Sequence, residues 1–395
     1  MIDEALVEKW RRDTPGCANR AHLNNAGAGL MPAAVFQAMV DHLALERDIG
    51  GYEAAARREA EIDSTYEPLS RLIGCRPSNI AIVANATAGF VQSMSSFDFK
   101  PGDTLLTSHA DYTSYQIHYL ALSQRLGVRI VYAEDLPEGG IDPQSVREKL
   151  RLHACRLVHV SWIPTHSGLV QDVQAVGEVC EEAGVPYVVD ACQAVGQLPI
   201  DVNELRCDYL SVTGRKFLRG PRGIGFMFAS DRALGRGDHP LFIDMRGARW
   251  VDPDRYDVDP TARRFEDWEF AYALVMGLRA ASEYALEAGV LECGERASAH
   301  AAYLRKRLSE IPRVRVLDRG RDLCAIVTAE VDGVDAARIV EHLRSLGINS
   351  AATLKWYGLL DLGPRGVTSA VRLSPHYYNT TSELDRAVDA IAELA

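Results

Sequence analysis

Residues 75–230 repeat one pattern: a short apolar or β-branched run, then turn residues, then a longer stretch with helical spacing. This alternation is typical of β-α-β units, in which a crossover helix covers the sheet between two parallel strands. Both faces of such a sheet are buried, which explains nearly continuous apolar runs such as 157–160. The predicted strands are Ile80–Ala84, Thr104–Ser108, Val128–Ala133, Arg156–Trp162, Pro186–Cys192, Tyr209–Thr213 and Ile224–Ala229. Seven such strands indicate one large sheet and an α/β fold.

The same spacing predicts the remaining elements. Helices are expected at Ser114–Leu126, Pro143–Leu152 and Val173–Ala183. Residues 231–268 break the pattern, and we expect a long functional loop there because 236–264 shows little periodicity. Beyond it, the sequence predicts a helical run from Tyr272 to Leu308, strands at Val314–Leu317, Ala325–Val331 and Ala370–Ser374, and helices at Ala336–Leu346 and from Ser382. We therefore divide the chain into an N-terminal helical segment (1–20), a large domain (21–270) and a small α+β C-terminal domain (271–395).

Charge and composition exclude several classes of partner. The chain has 43 Lys and Arg residues against 54 Asp and Glu residues, a net charge of −11, which favours small molecules over nucleic acid or anionic membranes. No run approaches the roughly 18 to 20 apolar residues that cross a bilayer. Met1–Asp13 is typical of an amphipathic helix and lacks the apolar core of a secretory signal, so we expect a cytoplasmic protein. The eight scattered cysteines predict buried free thiols and no metal site.

Two predicted strands lead into residues that carry chemistry. The run 187–190 ends in the carboxylate Asp190, and Lys216 follows soon after the run 209–213. Because the carboxyl ends of parallel strands form the crevice where ligands bind, Asp190 and Lys216 should meet there. From these two residues alone, a plain ion pair at the strand ends explains the pattern equally well.

A further segment, 85–89, follows the first strand of the sheet and opens a helix. A helix N-terminus holds phosphate through free backbone N–H groups, to which Thr87 adds a hydroxyl. Taken alone, Thr87 is more typical of an ordinary N-cap. Thr213 and Arg215, near the lysine, could add a second hydroxyl and a cation. The combination fits pyridoxal phosphate, which needs a Schiff-base lysine, a carboxylate at its ring nitrogen and an anchored phosphate.

Several motifs resemble the class V aminotransferase family of fold type I enzymes. They are Thr165–Asp172, Val189–Asp201, Thr213–Lys216 and Gly220–Gly225, and the resemblance extends from Leu23–Gly27 to Arg372–Thr380. It implies the fold of a fold type I pyridoxal-phosphate-dependent transferase, with a seven-stranded, mainly parallel sheet in the large domain and a smaller α+β C-terminal domain. It also implies a homodimer and an enzyme whose substrate is an α-amino acid.

The resemblance assigns roles to individual residues. Lys216 would bind the cofactor and take the proton from the substrate Cα, while Asp190 would face the pyridine nitrogen. The other implied cofactor-binding residues are Gln193, Thr165, Tyr112, Ala86, Thr87, Thr213 and Arg215. For the aromatic ring over the cofactor, Tyr115 and His109 compete with Tyr112. The implied substrate-binding residues are Arg372, which would pair with the substrate carboxylate, Asn25 and His376.

The sequence departs from the family pattern in three places. Arg215 stands where cysteine desulfurases have a histidine. Trp268 and Glu269 stand where many relatives have a Gly-Thr pair that reaches the phosphate across the subunit interface. Residues 345–371 contain no cysteine, whereas desulfurases carry a nucleophilic cysteine upstream of the carboxylate-binding arginine. A persulfide mechanism is therefore not expected.

The resemblance leaves the reaction open among routes that begin with an external aldimine and a Cα carbanion. We favour β-elimination by a carbon-sulfur lyase on a cysteine-derived substrate, because the segments 220–225 and 372–379 resemble the lyase branch and the desulfurase cysteine is missing. The alternatives are transamination and epimerisation of the isopenicillin N epimerase kind, which needs a second acid such as Tyr112, Tyr115 or His109. A non-enzymatic regulator that binds pyridoxal phosphate is a further alternative, against which the negative net charge argues.

Overall fold

The computed structural model describes residues 4–395, so the first three residues of the predicted N-terminal helix lie outside the described residues. No helix within 4–395 is both long enough and apolar enough to cross a membrane. The α-helices are α1 (Glu4–Arg12), α2 (Ala33–Ile49), α3 (Gly51–Arg57), α4 (Glu59–Asp63), α5 (Tyr66–Ile73), α6 (Ala86–Ser95), α7 (Thr113–Leu126), α8 (Pro143–Leu152), α9 (Val173–Ala183), α10 (Val202–Leu205), α11 (Asp231–Gly235), α12 (Tyr272–Ala288), α13 (Val290–Ser309), α14 (Ala336–Ser345), α15 (Leu359–Leu362) and α16 (Thr381–Ala392).

The strands follow the same chain order. They are β1 (Ala21–His22), β2 (Ile80–Val83), β3 (Thr104–Thr107), β4 (Arg129–Tyr132), β5 (Cys155–Ser161), β6 (Leu169–Val170), β7 (Tyr187–Asp190), β8 (Tyr209–Thr213), β9 (Gly225–Ala229), β10 (Ala248–Asp252), β11 (Arg255–Val258), β12 (Val314–Val316), β13 (Asp322–Leu323), β14 (Val327–Val331), β15 (Ile348–Asn349), β16 (Ala351–Leu354) and β17 (Ser369–Leu373).

Seven strands form the central sheet, in the order β2-β9-β8-β7-β5-β3-β4. Neighbouring strands are parallel except at β9, which is antiparallel to both β2 and β8. The connection from β8 to β9 spans only residues 214–224 and contains no crossover helix, which a parallel pairing would need. All seven strands coincide with predicted runs, so the prediction of a seven-stranded, mainly parallel sheet is confirmed.

The helices that connect the parallel strands begin and end where their sequences predict. The Asp142 side chain accepts the N–H of Gln144 at the start of α8 (2.9 Å), and the Asp172 side chain accepts that of Ala175 at the start of α9 (3.1 Å). Gly184 ends α9 in the left-handed conformation, with φ 65°. The predicted helices corresponding to α7, α8 and α9 are confirmed.

The expectation of one irregular loop over residues 231–268 is wrong. This segment contains α11, the antiparallel hairpin β10–β11 and a short 3-10 turn at Ala262–Phe265. Most side chains of the hairpin are exposed, so it lacks the apolar alternation by which half-buried strands are recognised. The predicted helical run after this segment is in fact two helices, α12 and α13, which are separated at Gly289, with φ 84°.

A second, antiparallel sheet has the order β12-β14-β17-β16. The sequence predicted three of its strands and missed β16. The chain start also reaches this region, because β1 pairs in parallel with β15 and Asn24 forms an isolated bridge with Ser374. The division into segments 1–20, 21–270 and 271–395 stays a prediction.

Arg219 connects both ends of the chain to the turn that follows Lys216. Its side chain is buried and donates to the Leu30 carbonyl (2.8 Å), the Tyr377 hydroxyl (2.5 Å) and the Thr14 hydroxyl. Its guanidinium also lies 4.6 Å from the ring centroid of Tyr378. These contacts hold the segment after Lys216 against the N-terminal and C-terminal segments together.

We predict that Arg219→Met lowers the free energy of unfolding by at least about 3 kcal/mol, because the buried hydroxyls of Thr14 and Tyr377 and the half-buried Leu30 carbonyl lose a charged hydrogen-bond donor. Urea unfolding of the purified proteins measures the loss. The exposed Arg71 in α5 provides the control, and Arg71→Met should change the stability by no more than about 0.5 kcal/mol. Equal losses in the two variants would contradict the assigned role of Arg219.

Candidate active site

Asp190 and Lys216 lie together at the carboxyl ends of the central strands. Asp190 is the last residue of β7, where the strand register places it between Ser161 of β5 and Ser211 of β8. Lys216 follows β8 by three residues, and both side chains are buried, with 5% and 7% exposed. The structure therefore brings together the two residues that the sequence placed at one crevice.

Burial shifts the two groups in opposite directions. It raises the pKa of Asp190, against the attraction of Lys216 and a hydrogen bond from the Cys192 N–H to Asp190 Oδ1 (2.9 Å). It lowers the pKa of Lys216, against the influence of Cys192 and Asp190. At a given pH, a larger fraction of Lys216 is thus in the neutral amine form than for a surface lysine. An amine that attacks a carbonyl group must be neutral.

The N-terminus of α6 provides backbone donors beside the central sheet. Asn85 caps the helix and accepts the Ala88 N–H (2.9 Å), which leaves the N–H groups of Ala86 and Thr87 available to an anion. The helix packs against β8, which ends at Thr213. Arg215 reaches back to the Gly27 carbonyl, and its pKa is lowered, mainly by burial.

Tyr112 is an aromatic neighbour of the lysine amine. Lys216 Nζ lies 6.0 Å from the Tyr112 ring centroid. The competitor Tyr115 is fully buried and packs edge-on against Tyr112, with 5.3 Å between ring centroids. His109 instead stacks on Tyr132 and pairs with Asp135 (3.4 Å). Tyr112 therefore lies beside the lysine amine, whereas the His109 ring is engaged by Tyr132 and Asp135.

Thr165 joins Gln193 to Arg372. Gln193 Nε2 donates to Thr165 Oγ1 (3.0 Å), and Arg372 donates to the Thr165 carbonyl (2.8 Å) and hydroxyl (3.1 Å). Burial lowers the pKa of Arg372 to about 10. Gln193 Oε1 and Arg372 Nε are buried without a protein partner in the described part of the chain. Buried polar atoms of this kind are costly unless a ligand satisfies them.

Asn25 and His376 are buried, and other protein groups bind their polar atoms, so their role at the site stays a prediction. The Asn25 amide donates to the Ser374 carbonyl (2.8 Å) and accepts the Tyr378 hydroxyl (2.6 Å). His376 bonds to the Phe217 carbonyl through Nε2 (2.9 Å) and accepts the Tyr377 N–H at Nδ1 (2.9 Å). Burial lowers the pKa of His376 to about 3, so its imidazole ring is neutral.

Sequence reasoning missed two neighbours of Arg372. The half-buried Asn24 accepts from Arg372 through Oδ1 (3.2 Å), and its place beside Asn25 was the only available signal. The phenol of Tyr357 is an electrostatic neighbour that opposes the effect of burial on the pKa of Arg372. The Tyr357 carbonyl accepts the hydroxyl of Thr113, the first residue of α7 (2.7 Å). Residues 355–358, here called the Tyr357 wall, therefore lie beside Arg372. No periodicity marks this segment in the sequence, so only the tertiary fold reveals it.

Gly358 allows the Tyr357 wall to pack closely against His166. A Cβ at this position would lie 2.7 Å from three ring atoms of His166, so only glycine permits the contact. His166 is in turn bonded to Asp361 of α15 (3.2 Å), which also accepts from Arg365 (3.1 Å). Tyr357 is thereby held between the start of α7 and the segment that contains Thr165.

The family model for aminotransferase class-V matches residues 21–387. The chain belongs to this family. The resemblance found in the sequence is thus confirmed. A probable cysteine desulfurase of Methanothermobacter thermautotrophicus is 24% identical over 98% of each chain. A probable hercynylcysteine sulfoxide lyase of Mycobacterium tuberculosis is 24% identical over 98% of this chain and 93% of the relative.

Solved structures share the fold of this chain. The apo structure of a cysteine desulfurase from Thermococcus onnurineus NA1 has a TM-score of 0.90 and 22% identity, covering 100% of this chain and 99% of the other. The cystine C-S lyase C-DES, in complex with its product cysteine persulfide, has a TM-score of 0.86 and 22% identity, covering 96% of this chain and 99% of the other. The predicted fold is confirmed.

We predict that Gly358→Ala lowers the free energy of unfolding by about 1–3 kcal/mol, because the added methyl group overlaps the His166 ring. Thermal or urea unfolding measures the change. Gly235→Ala is the matched control, since a Cβ there meets nothing within 4 Å and should be nearly neutral. If the two glycine variants were equally stable, the packing of residues 355–362 on His166 would not be the constraint described here.

Proposed function

We propose that this class V protein is a pyridoxal-phosphate-dependent carbon-sulfur lyase that acts on a cysteine-derived amino acid by β-elimination. The observation that carries the proposal is the buried pair of Asp190 and Lys216 at the carboxyl ends of β7 and β8. A lysine amine, a carboxylate and a helix N-terminus in one crevice are the three groups that this cofactor requires. The relatives named as desulfurase and sulfoxide lyase support the carbon-sulfur chemistry.

The residues present fit the cofactor. Lys216 would hold it through its amine and Asp190 would face its ring nitrogen, while the unpartnered Gln193 Oε1 would lie beside it with Thr165. Tyr112 would cover the ring, and Ala86, Thr87, Thr213 and Arg215 would surround the phosphate. When bound, pyridoxal phosphate supplies an electron sink for the bond that breaks at the substrate Cα.

Lys216 and Arg372 would divide the work on the substrate. Arg372 binds the α-carboxylate in a geometry suited to two parallel hydrogen bonds, and the Asn24 amide beside it supports its position. Lys216, whose pKa is lowered chiefly by burial, accepts the Cα proton as general base. The leaving sulfur then departs from Cβ with the electron pair of the broken bond.

The cysteines favour elimination over a protein-bound persulfide. All eight lie within the described residues, six of them buried and Cys75 and Cys155 half-buried. Burial raises the pKa of each of these thiols, so none is a ready thiolate nucleophile. The wall beside Arg372 carries Tyr357 and no thiol.

The alternatives differ in their products. Epimerisation needs a second acid, for which Tyr112 is the best-placed candidate, and returns the amino acid with inverted configuration. Transamination converts an added keto acid into an amino acid, and a non-enzymatic regulator forms no product. Elimination releases a keto acid, ammonia and a sulfur compound.

We also propose a homodimer and a cytoplasmic location. Several large apolar side chains are exposed, including Ile117 and Leu120 of α7 and Phe242 and Trp250 beyond α11. An apolar groove of about 350 Å³ runs between α6, α7 and Leu241. Exposed apolar area of this extent favours burial against a second copy.

Lys216→Ala tests the proposed function. The wild-type protein reconstituted with pyridoxal phosphate should absorb in the visible range, lose the band on borohydride reduction, and release ammonia and keto acid from cysteine conjugates or their sulfoxides. The variant should lack the reducible band and lose at least about 10³-fold in turnover, because it lacks both the attachment point and the base. Lys306→Ala, at an exposed lysine of α13, is the control. If the only product were the amino acid with inverted configuration at Cα, the protein would be an epimerase and the lyase proposal would be wrong.

Arg372→Lys tests the carboxylate site. We expect a KM increase of about 10- to 100-fold for substrates with a free α-carboxylate, because an ammonium group cannot make the paired contacts of a guanidinium. Substrate amides should lose little by comparison. Since the pKa of Arg372 lies at about 10, KM for carboxylate substrates should rise as pH approaches that value and the guanidinium loses its charge. Equal effects on acids and amides would contradict this assignment.

A further inference from the structure

The turn between β8 and β9, residues 214–224, folds back on itself. The Gly214 N–H donates to the Ile224 carbonyl (3.0 Å), and this bond closes the base of the turn. Arg215 leaves the base along one arm of the turn, and Arg222 returns to it along the other. The two arginines therefore lie on opposite arms of one short turn.

The strand register brings both arms to the start of α6. Val83, the last residue of β2, pairs with Gly225, the first residue of β9, and Gly225 pairs with Thr213, the last residue of β8. The chain leaves β2 at the same edge of the sheet and enters α6 at Ala86. The backbone N–H groups at the start of α6 and the two arms of the turn thus leave the sheet from one row of residues.

We propose that Arg222 is a further phosphate-binding residue for pyridoxal phosphate, and that it acts from the arm of the turn opposite Arg215. The two guanidinium groups and the N-terminus of α6 would then surround the phosphate together. The inference rests on the proposed function and deepens it, because only Ala86, Thr87, Thr213 and Arg215 are assigned to the phosphate above.

Arg215 and Arg222 are neighbouring cations without a carboxylate partner. Within residues 4–395, neither forms an ion pair with an aspartate or a glutamate, and the Arg222 guanidinium makes no hydrogen bond. Arg222 is exposed, whereas Arg215 is half-buried and donates to the Gly27 carbonyl. After burial, the charge of Arg222 is the largest influence that lowers the pKa of Arg215. The two guanidinium groups therefore repel each other, and a bound anion would relieve the repulsion.

A second pair of neighbouring arginines shows how this chain balances such charges elsewhere. Arg232 and Arg236 also act on each other electrostatically. Both bind the buried Asp208, at 2.9 and 2.7 Å. Arg215 and Arg222 have no such carboxylate within the described residues, so their surroundings suit an anion that comes from a ligand.

The charges of the whole crevice favour a ligand with two anionic groups. Arg215 lowers the pKa of Arg372 and of Lys216, so the cations of the crevice act on one another. Asp190 is the carboxylate that opposes this effect at Lys216. If Arg372 binds the substrate carboxylate, Arg215 and Arg222 remain for the phosphate.

The test compares two ligands that differ only in the phosphate group. The full chain, freed of cofactor, is titrated with pyridoxal phosphate and separately with pyridoxal, and the visible absorption band reports binding. Arg222→Met should raise the Kd for pyridoxal phosphate about tenfold, because a charge-assisted contact is lost. The Kd for pyridoxal should stay within about twofold of wild type, since pyridoxal has the same ring and aldehyde but no phosphate.

Three further variants complete the comparison. Arg222→Glu should raise the Kd for pyridoxal phosphate by about 100-fold, because a carboxylate repels the phosphate. Arg215→Met should also weaken binding of pyridoxal phosphate and spare pyridoxal. Arg71→Met, at an exposed arginine of α5, is the control and should leave both Kd values unchanged.

Two outcomes would overturn the inference alone. The first is an unchanged Kd for pyridoxal phosphate in Arg222→Met and Arg222→Glu. The second is an equal rise for pyridoxal phosphate and pyridoxal, which would mean that Arg222 supports the fold or the Lys216 turn and not the phosphate. If the wild-type protein bound neither compound, the proposed function would be rejected and this inference with it, so the two failures are distinguishable.

Discussion

The register of three parallel strands is the constraint on which the site depends. Backbone hydrogen bonding between β5, β7 and β8 sets Ser161, Asp190 and Ser211 side by side at one edge of the sheet. A shift of one residue in β7 would turn Asp190 to the opposite face, away from Lys216. The buried sheet makes such a shift costly, because every apolar side chain of the strand would change sides with it.

Burial has opposite chemical consequences for the amine and the thiols of this chain. It lowers the pKa of Lys216 and so favours the reactive, neutral amine. It raises the pKa of thiols such as Cys192 and Cys324, which keeps them protonated. The same low-polarity interior thus supports chemistry at a lysine and opposes chemistry at a cysteine, although the named relatives include cysteine desulfurases.

The distant parts of the chain complete the site rather than merely cover it. Asn24 and Thr165 hold Arg372, which belongs to the second sheet, against the end of the central sheet. Arg219 ties the Lys216 turn to both termini, and Gly358 seats the Tyr357 wall on His166. A crevice between two sheets is consequently fixed by polar contacts from four separate stretches of sequence.

The sequence by itself determined the central sheet and its chemistry. Apolar runs separated by turn residues predicted all seven strands, since burial on both faces leaves a strong local signal, and strand-end position predicted the meeting of Asp190 and Lys216. Only the tertiary structure decided which neighbours face the site. It placed Tyr112 beside the Lys216 amine and bonded the polar atoms of Asn25 and His376 to other parts of the protein. It also revealed Tyr357, because contacts between residues far apart in the chain leave no periodicity that a sequence can display.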